Sequence, residues 1–320
     1  MTFVVAALIS ASLFVMGCSG GDAPAQTTPR ADTGNTGNSQ SQSETSLADK
    51  QGTYVTPEFR NSEFHYDLAE TDGTMFIDTS AVSEGYVAAA GYSDARLKFQ
   101  VKFGEETYNY DLASDGTPSV YPLQCGDGYY TFRVMENIVD SKYALAFETS
   151  ADVAMYSEFE PYLRPNVYAN YSESSECVKK AAEFASHADN MPELITQVYD
   201  FVCVSVTYDY DKAANIPSGY IPVPDETLST GKGICIDYAA LAASMLRSQG
   251  IPTKVIFGYV APDDIYHAWN MFYTEDTGWV SVEFKVDEYN WNRLDLTFSA
   301  NGSDGTFIGN GTNYADVYQY

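Results

Sequence analysis

Gly231-Lys232-Gly233-Ile234-Cys235-Ile236-Asp237-Tyr238 runs into Ala239-Ala240-Leu241-Ala242-Ala243-Ser244-Met245-Leu246-Arg247, and this stretch decides how the rest of the chain is read. The Ala- and Leu-rich part is a strong helix by intrinsic propensity, and Gly250-Ile251-Pro252 ends it as a left-handed cap followed by a stop. Cys235 therefore stands at a helix N-terminus. The positive end of the helix and its unpaired N–H groups favour thiolate over thiol, and the thiolate is the nucleophile. The same N–H groups can hold a developing oxyanion, and the preceding glycines let backbone approach a substrate closely.

Downstream, His267-Ala268-Trp269-Asn270-Met271-Phe272-Tyr273 reads as a strand, and Asp276-Thr277-Gly278 turns it into a second strand from Trp279 to Phe284. A third is expected from Asn292 to Phe298, with Leu294, Leu296 and Phe298 on one face and Arg293, Asp295 and Thr297 on the other. The chain order is thiol, imidazole, carboxylate. A thiol activated by a base, with a third group orienting that base, is what acyl transfer requires. Upstream, Ser174 or Ser175 can cap a helix carrying Val178, Ala181, Ala182 and Ala185. Pro192 can open another carrying Leu194, Ile195, Val198, Tyr199 and Val202. Cys177 and Cys203 fall on these helices and read as buried thiols, with a disulfide between them as the alternative.

Three motifs carry a resemblance. Gly231 to Ala239 followed by Leu246-Arg247-x-x-Gly250-Ile251-Pro252, then His267-Ala268-Trp269-Asn270, then Trp291-x-x-x-Asp295-x-Thr297 resembles the transglutaminase-like superfamily, whose core has a papain-like fold. The resemblance implies Cys235 as nucleophile, His267 as base and Asp295 as the group orienting His267. Glu283, in Trp279-Val280-Ser281-Val282-Glu283, is the alternative acid. Asp295 is preferred because it is followed by Thr-Phe and because a shorter carboxylate is the usual orienting group. Tyr238 and Trp269 are candidates to wall the cleft. Beside the Cys235 N–H, the oxyanion hole has Tyr220, Thr227 and Ser229 as candidate donors. Tyr208 to Asp211 are expected near the mouth, and Pro217 to Pro224 are expected to shape the entrance.

The rest of the chain differs in character. Tyr54 to Leu163 alternates apolar residues, as in Leu97, Phe99, Val101 and Phe103, or Tyr143, Leu145 and Phe147. Turn chemistry falls at Gly104-Glu105, Asp115-Gly116 and Gly126-Asp127-Gly128. The expected fold class is α+β: an antiparallel β-sandwich-like domain over 54–163, then a transglutaminase-like domain over 164–320. Residues 1–18 read as a lipoprotein signal, an apolar run ending in Gly17-Cys18, with Cys18 the acylated residue. Residues 19–53, rich in Ser, Thr, Gln, Asn and Gly, read as a flexible tether. A lipobox joined to a β-rich domain resembles the cell-surface lipoproteins of the same superfamily in Gram-positive bacteria. The resulting localisation is the outer face of the cell membrane, anchored by lipid at Cys18.

The 320 residues carry 17 basic and 44 acidic side chains, a net charge of −27. A polyanion of this kind is repelled by phosphate backbones, so nucleic acid is excluded as a partner. With 3 His and no Cys or His pair at zinc-ligand spacing, neither a metal nor a cofactor is expected. The expected partner is a protein or peptide substrate, with cell-wall peptide one candidate. Three functions are compatible with the sequence: a thiol hydrolase of amide or peptide bonds, a transglutaminase forming isopeptide crosslinks, and a binding protein with a vestigial site. Hydrolysis is preferred in a dilute aqueous setting.

Overall fold

The computed structural model describes residues 51–260, 265–282 and 314–320. The leader and its Cys18, most of the expected tether, Glu283, Asp295 and the expected strand Asn292–Phe298 lie outside the described residues.

Period-two alternation builds the first half. β1 (Glu70–Thr71), β2 (Met75–Asp78), β3 (Tyr86–Gly91) and β6 (Ser119–Pro122) form one antiparallel sheet in the order β1-β2-β3-β6. The second sheet, also antiparallel, contains β4 (Leu97–Phe103), β5 (Glu106–Leu112), β7 (Gly128–Val139) and β8 (Lys142–Val153), in the order β5-β4-β7-β8. Met75, Ile77 and Val87 of the first sheet share one apolar core with Leu97, Phe99, Val101 and Phe132 of the second. Phe99 stacks on Tyr121 across the two sheets, ring centroids 4.5 Å apart. The alternation fails at β8. Val134 stands opposite Phe147 but Met135 opposite Leu145, so Ala146 is an extra residue, and the bulge turns Leu145 out to 53% exposure.

Helical periodicity takes over after Pro165. α1 (Glu176–His187), α2 (Met191–Ser205), α3 (Tyr210–Asn215), α4 (Pro224–Thr230) and α5 (Cys235–Ser248) accompany a short parallel pair, β9 (Thr207–Tyr208) with β10 (Lys232–Gly233). An antiparallel sheet follows, built from β11 (Thr253–Val260), β12 (Ile265–Thr274), β13 (Gly278–Val282) and β14 (Tyr314–Gln319) in the order β13-β12-β11-β14. The whole is an α+β fold. α2 starts as its sequence dictates: Asn190 accepts from the Glu193 N–H at 3.0 Å, and Pro192 occupies the first turn. α1 does not. Ser175 holds the cap position by backbone, but the cap bonds come from Asp225 of α4, which accepts from the Glu176 and Cys177 N–H groups at 3.0 and 2.9 Å. Ala182 faces solvent rather than the core, Cys177 is a buried thiol, and no disulfide joins Cys177 to Cys203.

α5 is the centre of this half. Every residue from Ile236 to Ser248 is buried, and α1, α2, α4, β11 and β12 all pack on it. Its small residues allow this, because each Ala lets a neighbouring backbone come close. Asn270 of β12 donates through Nδ2 to the Ala239 carbonyl of the helix at 3.0 Å and to the Lys254 carbonyl of β11 at 3.1 Å. At the far end Gly250, with φ +80°, makes the expected left-handed cap, and the Ile251 N–H returns to the Leu246 carbonyl at 3.1 Å. Beside that cap the buried Arg247 donates to the carbonyls of Thr253, Arg164 and Tyr320 at 2.7, 3.0 and 2.9 Å. Burial lowers its pKa to about 10, and the guanidinium stays charged at neutral pH.

An extended run crosses the surface before all of this. Gly52 N–H donates to the Ser186 carbonyl at 2.8 Å, Tyr54 N–H to Ala188 at 2.9 Å, and the Tyr54 hydroxyl to the Gln249 carbonyl at 2.7 Å. If α5 organises the helical core, Leu241→Ala should cost about 2–5 kcal/mol, the range for emptying a fully buried leucine site. The shift in denaturation midpoint in urea measures it.

Candidate functional site

Cys235 is the first residue of α5 and half-buried. Its position is set from both sides. The Gly231 carbonyl accepts from the Thr207 N–H at 2.8 Å and the Gly233 carbonyl from the Asp209 N–H at 2.9 Å, which ties the approach to the helix to β9. Gly233 admits no side chain, since a Cβ there would come within 2.7 Å of the Asp237 Cβ. Asp237 is thereby held against the helix start. Its Oδ2 accepts from the Ile234 N–H at 2.8 Å while its own N–H donates to the Ile234 carbonyl at 2.9 Å. An acidic group at this position satisfies an N–H of the first turn and complements the helix dipole.

The sulfur of Cys235 lies against β12. Cys235 packs against the apolar core that includes Ala268 of β12, and the Ala268, Ile236 and Cys235 N–H groups favour charge on its sulfur. Ala268 directly follows His267 on β12, the strand that packs on α5. His267 is partly buried and stands opposite Gly258 of β11, a position that places no side chain beside the ring from that strand. Burial is the largest influence on the thiol and pushes it above the ordinary cysteine value; the three N–H groups pull it down, and the Asp237 carboxylate pushes it up again. The helix N-terminus was expected to make a ready thiolate. Here desolvation outweighs it.

Tyrosines flank the thiol. Tyr208, on β9, and Tyr266, on β12, both have phenols raised first by burial, with the Cys235 charge contributing. Each pairs edge-on with a second ring, Tyr208 with Tyr210 at 5.0 Å and Tyr266 with Tyr259 at 5.3 Å. Tyr210, Tyr259 and Tyr266 are exposed.

The other sequence candidates are distributed as follows. Tyr238 and Trp269, the expected cleft walls, are fully buried; the Tyr238 hydroxyl donates to the Val206 carbonyl at 2.7 Å inside the core. Of the oxyanion candidates, Thr227 points its hydroxyl at the Val223 carbonyl and Ser229 points its own at Glu226, while the Tyr220 hydroxyl donates to Asp237. Asp209 is a helix cap, its Oδ1 accepting from the Lys212 N–H at 2.8 Å. Among the described residues no group of three or more His, Cys, Asp or Glu is placed to hold a metal ion. Sequence reasoning missed Lys212, whose ammonium lies 2.7 Å from Asp237 Oδ2, and the Ala268 N–H. Neither has a sequence signal, since the first is a lone lysine in a loop-rich stretch and the second is backbone.

Comparison with known proteins agrees with the motif reading. Residues 178–284 match the model of the Transglutaminase-like superfamily. Over 129 residues the chain is 31% identical to UPF0252 protein MJ1282 of Methanocaldococcus jannaschii, an alignment covering 38% of this chain and 36% of that protein. The chain thus spans little more than a third of the length of this curated relative. Among solved structures it is similar to a Cytophaga hutchinsonii protein proposed to be a cysteine protease, at 16% identity and a TM-score of 0.35, covering 61% of this chain and 68% of that one. It is also similar to red sea bream transglutaminase, at 14% identity and a TM-score of 0.27, covering 66% of this chain and 48% of that one.

A raised thiol pKa has a measurable sign. At pH 7 Cys235 should react with iodoacetamide more slowly than a free cysteine with pKa ~8.5, and its rate should keep climbing at pH values where the free thiol has levelled off. Alkylation rates resolved by peptide mapping test this; fast labelling below pH 7 would contradict it.

Proposed function

We propose that this protein is a thiol-dependent acyl-transfer enzyme that hydrolyses amide or peptide bonds through a thioester on Cys235. The observation that carries the reading is the position of Cys235 on the first turn of α5, packed against the core that includes Ala268 of β12, the strand that carries His267. His267 acts at the moment of attack: it accepts the Sγ proton as sulfur bonds to the acyl carbon. The developing oxyanion is held by the Cys235 N–H. The tetrahedral intermediate collapses, the C–N bond breaks, and the leaving amine takes the proton from His267. Water, deprotonated by His267, then attacks the thioester and releases the acid with the thiol restored. Asp295 orients His267 in this reading, with Glu283 the alternative. Export and a lipid anchor at Cys18, from the apolar run ending in Gly17-Cys18, put the substrate outside the cell, as protein or peptide.

The test is turnover on a panel of amide and glutamine-containing peptides, followed by mass spectrometry with a labelled primary amine present. Release of amine or peptide without uptake of the labelled amine is expected. Cys235→Ala should abolish it and His267→Ala should lower kcat by about 10²–10⁴-fold. Uptake of the amine would make the protein a transferase instead. Absence of turnover, with ligand binding unchanged in Cys235→Ala, would make it a binding protein. Asp295→Ala should depress kcat more than Glu283→Ala; the reverse order would move the orienting role to Glu283.

A further inference from the structure

Beneath the thiol lies a closed polar cluster that the reaction as drawn does not use. Asp237 is fully buried, two residues along the helix from Cys235. Its Oδ1 accepts from the Tyr220 hydroxyl at 2.6 Å, and its Oδ2 sits 2.7 Å from the Lys212 ammonium while also accepting from the Ile234 N–H. Lys212 in turn donates to the Tyr220 oxygen at 2.6 Å and stands over the Tyr220 ring, 4.5 Å from its centroid. A carboxylate removed from water in this way costs several kcal/mol unless paired, so the chain has placed a cation and two further donors around it. All three partners come from outside α5: Lys212 from α3, Tyr220 from the segment before α4, and Ile234 from the helix cap.

We propose that Lys212 is a positioning residue for the Cys235 thiol: its ammonium neutralises the Asp237 carboxylate one half-turn from the sulfur and, with Tyr220, pins the 212–220 segment onto the start of α5. This rests on Cys235 being the reacting thiol. A bare carboxylate at Asp237 would oppose formation of negative charge on sulfur, both in the thiolate and in the transition state that leads to it. Lys212 cancels that opposition without itself reaching the sulfur. The hydrogen bonds also fix the geometry, because Asp237 holds the Ile234 N–H and so sets where the first turn begins. Among the described residues, the other titratable groups near the thiol are His267 and Tyr266 from β12 and Tyr208 from β9, and those near Asp237 are Tyr208 and Tyr238. Lys212 is the described cation in direct contact with the Asp237 carboxylate, so the neutralising role falls to it.

The experiment is the pH profile of Cys235 alkylation in the full chain, read by peptide mapping in wild type, Lys212→Met, Lys212→Arg and Lys212→Met/Asp237→Asn, with far-UV circular dichroism on each. This readout does not depend on a substrate, so it separates failure of this inference from failure of the hydrolase reading. Lys212→Met should move the midpoint upward by at least about 0.5 pH unit, an effect of an uncompensated neighbouring charge. Lys212→Arg should restore it, and the double variant, which removes both charges, should return it towards wild type. A folded Lys212→Met with the wild-type midpoint would overturn the proposal. If Lys212→Met alone does not fold, the double variant decides: a folded protein with a wild-type midpoint supports charge compensation, and one with a midpoint raised as far or further overturns it.

Discussion

A helix buried on every side is the constraint on which the rest of this half of the molecule depends. α5 has no polar face to give to solvent, so its neighbours must cover it completely, and its own residues must be small enough for them to approach. Four alanines and a serine between Ala239 and Ser244 meet that requirement. Two of the polar side chains brought inside by the arrangement are tied to backbone: Asn270 Nδ2 donates to the Ala239 and Lys254 carbonyls, and Arg247 gathers three carbonyls from separate parts of the chain. The one end of α5 that comes near the surface carries Cys235. A side chain at the start of such a helix is fixed by the whole core, and its surroundings are set by what lies at the helix start.

Those surroundings pull in opposite directions. Three N–H groups and the helix dipole favour negative charge on sulfur, while burial and the Asp237 carboxylate disfavour it. The balance raises the thiol above the ordinary cysteine value, with burial the largest influence. The antiparallel register of β11 and β12 sets Gly258 opposite His267 and Phe257 opposite Ala268, within the stretch 178–284 that matches the Transglutaminase-like superfamily model.

Much of this was legible in the sequence because it is local or periodic. Cys235 at a helix start, the Gly250 cap, the buried face Leu194-Ile195-Val198-Tyr199-Val202 of α2 and the His267 strand each follow from spacing within a few residues. What escaped is non-local. Asp225 caps α1 across 49 residues, and Lys212 reaches Asp237 across 25. The extra residue at Ala146 reverses a face without altering the composition around it. Tyr238 and Trp269 were read as cleft walls because large aromatics often line sites, but neighbouring elements close over both.

The extended run at the start of the described chain has a mechanical meaning. Gly52, Thr53 and Tyr54 are hydrogen-bonded to Ser186, Asp189 and Ala188, at the corner between α1 and α2, and Tyr54 and Thr56 also bond Gln249 beyond the far end of α5. Pro57 lies so close to Gly250 that a methyl there would meet its ring at 2.1 Å. A pull on the polypeptide preceding residue 51 would thus be resisted by several bonds at once, at the end of the helix opposite the thiol. Force would reach the corner of the helical layer long before it disturbed the start of α5, where Cys235 stands.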